Sequence, residues 1–142
     1  MNVVGRVLTD VRVWTYRSPD EVELTIDGQR FWLCFADGFE KVTAGGDGSL
    51  ALEPAVEFSA DDLRADLDGD AAIAELRWLS VVHLMFSDLP DLPVVGCETV
   101  EQAGVTSVLE LRLGNGEQWI RFDACHICGS LTVSGGFRQG PS

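Results

Sequence analysis

The stretch VLELRLGNGEQWIRFDA, residues 108–124, decides how this chain is read. Leu111 and Leu113 alternate with polar residues before Asn115-Gly116, and Ile120 and Phe122 do so after it. A period of two is the signature of a half-buried strand. Asn-Gly between two such runs is the strongest short-range hairpin signal, because both turn residues must tolerate positive φ. The stretch therefore predicts two antiparallel strands joined at Asn115-Gly116.

Working outward, a second segment repeats the pattern. EVELTIDGQRFWLCFADG (21–38) carries Glu23, Leu24 and Ile26 where the first has Glu110, Leu111 and Leu113. Asp27-Gly28 stands for Asn115-Gly116, and the Trp32-led run stands for the Trp119-led run. Val-Val-Gly opens both neighbourhoods, at 3–5 and at 94–96. The chain thus reads as two related β-meander units, about 3–38 and 94–124, in the manner of a diverged tandem duplication.

The region between them has a different pattern. SADDLRADLDGDAAIAEL (59–76) is the one helical stretch, with Ser59 as N-cap, Asp62 three residues on, and Leu63, Leu67, Ala71 and Ala74 on one face. Gly69 divides it, and a second short helix can start near Asp70. SLALEPAVEF (49–58) reads as extended, RWLSVVHLMFSD (77–88) as a buried strand ended by the DLPDLP loop (88–93), and SLTVSGG (130–136) as a terminal strand. The expected fold class is α+β, a single domain over 1–142: mostly antiparallel β-sheet with one acidic helical insertion at about 59–77. Trp14, Phe31, Phe35, Trp78, Leu84, Phe86, Leu111, Trp119 and Phe122 are the expected large core residues.

The chain has 142 residues, 46% of them hydrophobic, which is enough to bury a real core. The opening MNVVGRVLTDVRV has no apolar run of signal-peptide length, and no segment approaches a membrane span, so the expected location is cytoplasmic. Four cysteines are too few for a disulfide scaffold and fit a reducing compartment. Twenty-three acids against ten bases leave a net charge of −13. A field of that sign opposes direct nucleic-acid or anionic-membrane binding and favours cationic partners.

Chemistry-bearing patterns are few. DACHICGS (123–130) holds Cys125 and Cys128 in C-x-x-C spacing with His126 between them, the shape of half a zinc knuckle. No second C-x-x-C or H-x₃-H completes it, and no helix follows to lower a thiol pKa for redox work. If the strand from Trp119 ran on, 125 and 128 would face opposite sides. The segment reads as structural, and no cofactor is implied. DLDGD (66–70) fails as a calcium loop, with Ala71 at the sixth position and Arg77 at the twelfth. There is no G-x-S-x-G, P-loop or G-x-G-x-x-G, so nothing supports an enzyme.

The acids are concentrated. Glu57, Asp61, Asp62, Asp66, Asp68, Asp70 and Glu75 stand against Arg64 alone, a net −6 over 57–75. Asp62–Asp66 and Asp66–Asp70 are like-charge i,i+4 pairs that cost a helix a few tenths of a kcal/mol each. A docking surface for a basic partner explains acids that a helix does not need. In size, acidity and lack of a catalytic set the chain resembles the immunity proteins of bacterial toxin systems. That resemblance implies an intracellular inhibitor of a cognate toxin, with these seven acids as partner-binding residues. The alternatives are a small metal- or thiol-dependent enzyme using Cys125, Cys128 and His126, and a structural subunit of an assembly.

Overall fold

The computed structural model describes residues 3–45, 47–67, 73–81, 91–125 and 129–137. Among them the chain forms β1 (Val7–Arg17), β2 (Thr25–Ile26), β3 (Arg30–Phe35), β4 (Gly38–Ala44), β5 (Leu50–Ala55), α1 (Asp61–Asp66), β6 (Glu75–Ser80), β7 (Leu92–Gln102), β8 (Val105–Leu113), β9 (Gln118–Ala124) and β10 (Leu131–Phe137). Among the described residues the fold is mostly antiparallel β-sheet with one short helix. The strand order is β10-β9-β8-β7-β1-β3-β4-β5, and β2 and β6 also pair with β1.

β1 is the centre of this arrangement. One of its edges holds β3 over Leu8–Arg12 and β2 at Thr15 and Tyr16; the other holds β7 at Val7 and Leu8 and β6 over Arg12–Arg17. A bulge between Leu8 and Asp10 shifts the phase, so Leu8 and Val11 both turn inward. Val11, Val13, Phe31, Leu33, Phe35, Val42 and Leu50 meet Leu109, Leu111, Leu113, Ile120 and Phe122 in one continuous core. Phe31 and Phe122 touch across it, ring centroids 5.7 Å apart. Burying each such side chain contributes about 1.5–3 kcal/mol.

The 108–124 stretch folds as its alternation predicts. Leu113 pairs with Gln118, and Leu109, Leu111, Leu113, Ile120 and Phe122 are all buried. Its turn uses positive φ at Gly114 and Gly116, with Asn115 accepting from the Glu117 amide. β7 reaches β8 through a two-residue turn, Ala103-Gly104, with both residues at positive φ.

Asp27-Gly28 does not make a hairpin. β2 and β3 run in the same direction along one edge of β1, and the dipeptide is a break between them. The reversal in this half comes after β3, at Ala36-Asp37. β3 therefore lies directly beside β1, whereas β9 is separated from β7 by β8. Trp32 and Trp119, matched in the sequence, do not occupy matching strand positions.

Of the helix expected over 59–76, the described residues form the six-residue α1, and the second short helix expected near Asp70 lies outside them. Ala60 takes the N-cap position with no side-chain cap, while the Ser59 carbonyl is taken by the Trp14 indole N–H. Glu75 to Arg77 belong to β6, where Trp78 is 45% exposed and Leu79 is also exposed, so this is not a buried strand. Leu84, Phe86 and Ala71 lie outside the described residues, and Ala74 is exposed. Trp14 and Trp119 are half-buried rather than core.

Candidate functional site

The run Phe31-Trp32-Leu33-Cys34-Phe35 is buried at every position. A strand covered on one face alternates; a strand with no alternation is covered on both. The second cover is supplied by the acidic segment itself. Phe58 lies over the outer face of the sheet, stacked on Trp14 at 4.7 Å and edge-on to Trp32 at 5.2 Å and Trp78 at 6.1 Å. The Arg12 guanidinium sits 4.2 Å from the Trp78 ring centre and 5.2 Å from that of Phe58. Asp10 holds Arg12 there at 2.9 Å while accepting from the Ser80 hydroxyl. Aromatic pairs and exposed cation–π contacts of this kind contribute about 0.5–1.5 kcal/mol each. Phe58 is the plug that fixes the segment to the sheet.

Helix α1 follows the plug and is fastened by charge. Leu63 is its buried anchor. Asp62 pairs with Lys41 of β4 at 2.5 Å, and Asp66 pairs with Arg30 of β3. The Lys41 hydrogen bond holds the Asp62 carboxyl below the usual aspartate range. Arg30 also meets Asp27, which is 4% exposed and accepts from the Gln29 amide. Burial pushes the Asp27 carboxyl up, and the Gln29 amide and Arg30 offset this only in part.

These contacts correct the reading of the acids as a set that the helix does not need. Asp62 and Asp66 are helix-to-sheet latches. Glu75 stands on β6 and pairs with Arg77 at 2.8 Å and, more loosely, with Arg17. Asp68 and Asp70 lie outside the described residues. Glu57 and Asp61 are exposed and have no hydrogen bond or ion pair among the described residues, and Glu53 on β5 is in the same condition. A narrower acidic ridge of Glu53, Glu57 and Asp61 therefore stands exposed. Val56, 99% exposed, stands within it.

Sequence reasoning missed Trp32, Phe58, Arg12 and Lys41. The unalternating run Phe31–Phe35 is the signal that could have found them, because it requires an outer apolar layer. The only lysine of the chain, Lys41, marks where that layer is latched.

The cysteine segment does not join this face. Strand β9 stops at Ala124, so the alternation argument for 125 and 128 does not apply. The Cys125 amide donates to the Ser130 carbonyl and the Cys125 carbonyl accepts from the Gly129 amide, with Gly129 at positive φ. The Leu131 amide then bonds the Gly28 carbonyl. His126 and Cys128 lie outside the described residues. Burial pushes the Cys34 thiol up to about 11 and raises Cys97 as well, the opposite of the shift that activates a thiol nucleophile. Among the described residues no three His, Cys, Asp or Glu side chains gather as a metal-holding group. No helix among them is long and apolar enough to cross a membrane. Comparison with models of known protein families, with curated proteins and with solved structures gives no match to the chain.

Proposed function

We propose that this chain is a binding protein for a basic protein partner, acting as an inhibitor of the immunity type in the cytoplasm. The observation that supports this most is the open acidic ridge, Glu57 and Asp61 with Glu53 beside them, held in place by the Phe58 plug. Charged side chains that satisfy nothing among the described residues are available to an incoming cation. A ridge anchored by stacked rings and two ion pairs presents them without an ordering cost on binding. The net charge of −13 extends the same preference outward and speeds encounter with a cationic surface. Asp62, Asp66 and Glu75 contribute to that field while holding the segment, and Asp68 and Asp70 carry the same sign of charge next to it in sequence.

The test is the association rate with a purified basic toxin domain, sought first in the product of the neighbouring reading frame. The rate should fall steeply as ionic strength rises past the point where the Debye length is about 8 Å. Glu57→Lys with Asp61→Lys should slow it on the order of tenfold, because rim charges act mainly on k_on. Reversal of Asp62 or Asp66 is unsuitable, since it breaks a latch. Association indifferent to both salt and the double reversal overturns the reading.

A further inference from the structure

Strand β10 ends the sheet, and among the described residues β9 is the only strand paired with it. Its main chain alternates in direction. The Leu131 amide points away from β9, to the Gly28 carbonyl, while the Ser130 carbonyl points the other way, to the Cys125 amide. Carried along the strand, that alternation bonds Thr132, Ser134 and Gly136 to β9 and turns the N–H and C=O of Val133, Gly135 and Phe137 outward. No described residue takes the outward groups of Val133 and Gly135. The side chains of Thr132 and Ser134 are exposed beside them.

The other long open edges among the described residues are blunted. β5 carries Glu53 and Pro54, β6 carries Glu75 and Arg77, and β7 past its contact with β1 carries Glu98 and Glu101. Charge and proline at an edge keep a second strand away. β10, LTVSGGF, has neither. On β9 beside it, Arg121 and Asp123 pair at 3.1 Å and cancel each other's charge. The field of the molecule then decides the occupant. Two chains of net charge −13 repel wherever their acids meet, so a second copy comes close only along a stretch without charge. A cationic partner gains nothing from such a stretch and is drawn to the acids instead. We propose that two copies of this chain pair antiparallel through β10, about a two-fold axis at Gly135. Val133 bonds Phe137 of the partner subunit, and Gly135 bonds its own counterpart. Leu131, closed by Gly28, lies outside the pairing. Ser134, Gly135 and Gly136 leave room for the strands at the crossing. The inference does not rest on the acidic-ridge reading.

The experiment is sedimentation equilibrium of the full chain at roughly 0.01–1 mM, since one pair of edge strands is a small interface and makes a weak dimer. Association should tighten severalfold as salt rises from about 0.02 to 0.5 M, because screening removes the repulsion between copies. Binding of a basic partner has the opposite salt dependence. In hydrogen exchange, the Val133 and Gly135 amides should slow as protein concentration rises, while the Ser134 and Gly136 amides, bonded to β9, stay protected throughout. Ser134→Glu sets like charges across the axis from an exposed position and should weaken the dimer about fivefold. Thr99→Glu adds the same charge on β7 and should change it less than about twofold. A chain that stays monomeric at the highest concentration in high salt overturns the proposal. So does a dimer in which Val133 and Gly135 exchange as fast as in the monomer and Ser134→Glu is neutral, since the copies then meet elsewhere. Protection of these amides by a basic toxin domain alone gives the edge to that partner and overturns it as well. Exchange is read on the unaltered chain, so the result does not depend on a variant folding.

Discussion

Asp27-Gly28 and Asn115-Gly116 are nearly the same dipeptide between nearly the same flanks, and they fold differently. Each Asx side chain accepts from the amide two residues on, Gln29 at 3.0 Å and Glu117 at 3.1 Å. Local chemistry is thus shared. The chain reverses only at the second, where Gly114 and Gly116 take positive φ; Gly28 does not. At the first, the Asp27 amide bonds the Trp14 carbonyl and the Gly28 carbonyl bonds the Leu131 amide. Both main-chain groups are claimed by distant strands, so the dipeptide becomes a break in one strand line. A turn signal states what the backbone can do, and tertiary hydrogen bonds decide whether it does so.

The same contrast separates the two tryptophans that the sequence aligns. Trp32 is covered by the Phe58 layer, while Trp119 lies half-buried over Gly136, where an added Cβ would stand 3.6 Å from its ring. Trp32→Ala should cost about 3–5 kcal/mol in urea unfolding, and Trp119→Ala about half of that. Equal losses would mean that the two positions are equivalent after all.

The two Asx residues should part next. Asp27→Ala strips an acceptor from the Gln29 amide and a partner from Arg30, and should destabilise by about 1–3 kcal/mol. Asn115→Ala, at an exposed turn, should change stability by about 0.5 kcal/mol. Denaturation midpoints that move together would show that the Asx contact alone matters, wherever it sits.

A third site refines the turn argument. Ala103 holds φ 53°, in the left-handed region that Cβ sterics disfavour, that Gly enters freely and that Asn enters more readily than Ala because its side chain hydrogen-bonds locally. Ala103→Asn should raise stability by about 1 kcal/mol, read as a higher melting temperature. A lower melting temperature would show that the β7–β8 turn is not of this type.

The smallest effects are in pH. Folding raises the Asp27 carboxyl above its ordinary value of 3.8, so the folded chain holds the extra proton. Its contribution is fully present below that ordinary value and is lost as pH climbs through the raised one. Asp62 has the opposite sign: Lys41 lowers it, so its contribution is present above 3.8 and lost as pH falls through its lowered value. Melting temperature against pH should lose its downward slope in Asp27→Asn and its acid-side loss in Asp62→Asn. Unchanged profiles would remove both assignments. Asp62 is half exposed, so its share should shrink in salt.

Much of the site was legible, and in a particular way. The concentration of acids over 57–75 was visible, because charge is a property of composition. Which acids remain open was not, because Lys41 and Arg30 are distant in sequence and only the fold brings them to Asp62 and Asp66. Phe58 was hidden for the same reason: its partners Trp14, Trp32 and Trp78 come from three strands.

The sequence by itself determined the strands with clear alternation, the hairpin around Asn115, the predominance of antiparallel sheet and the sign of the molecule's field. These depend on side-chain period, turn chemistry and ionisation, all of which act within a few residues. The tertiary structure alone decided that Asp27-Gly28 would not turn, that the acidic segment would become a plugged and latched cover, and that Trp32 would be buried under Phe58. Each is a competition for a hydrogen bond, an ion pair or an apolar surface between groups far apart in the chain, and only the assembled sheet sets their distances.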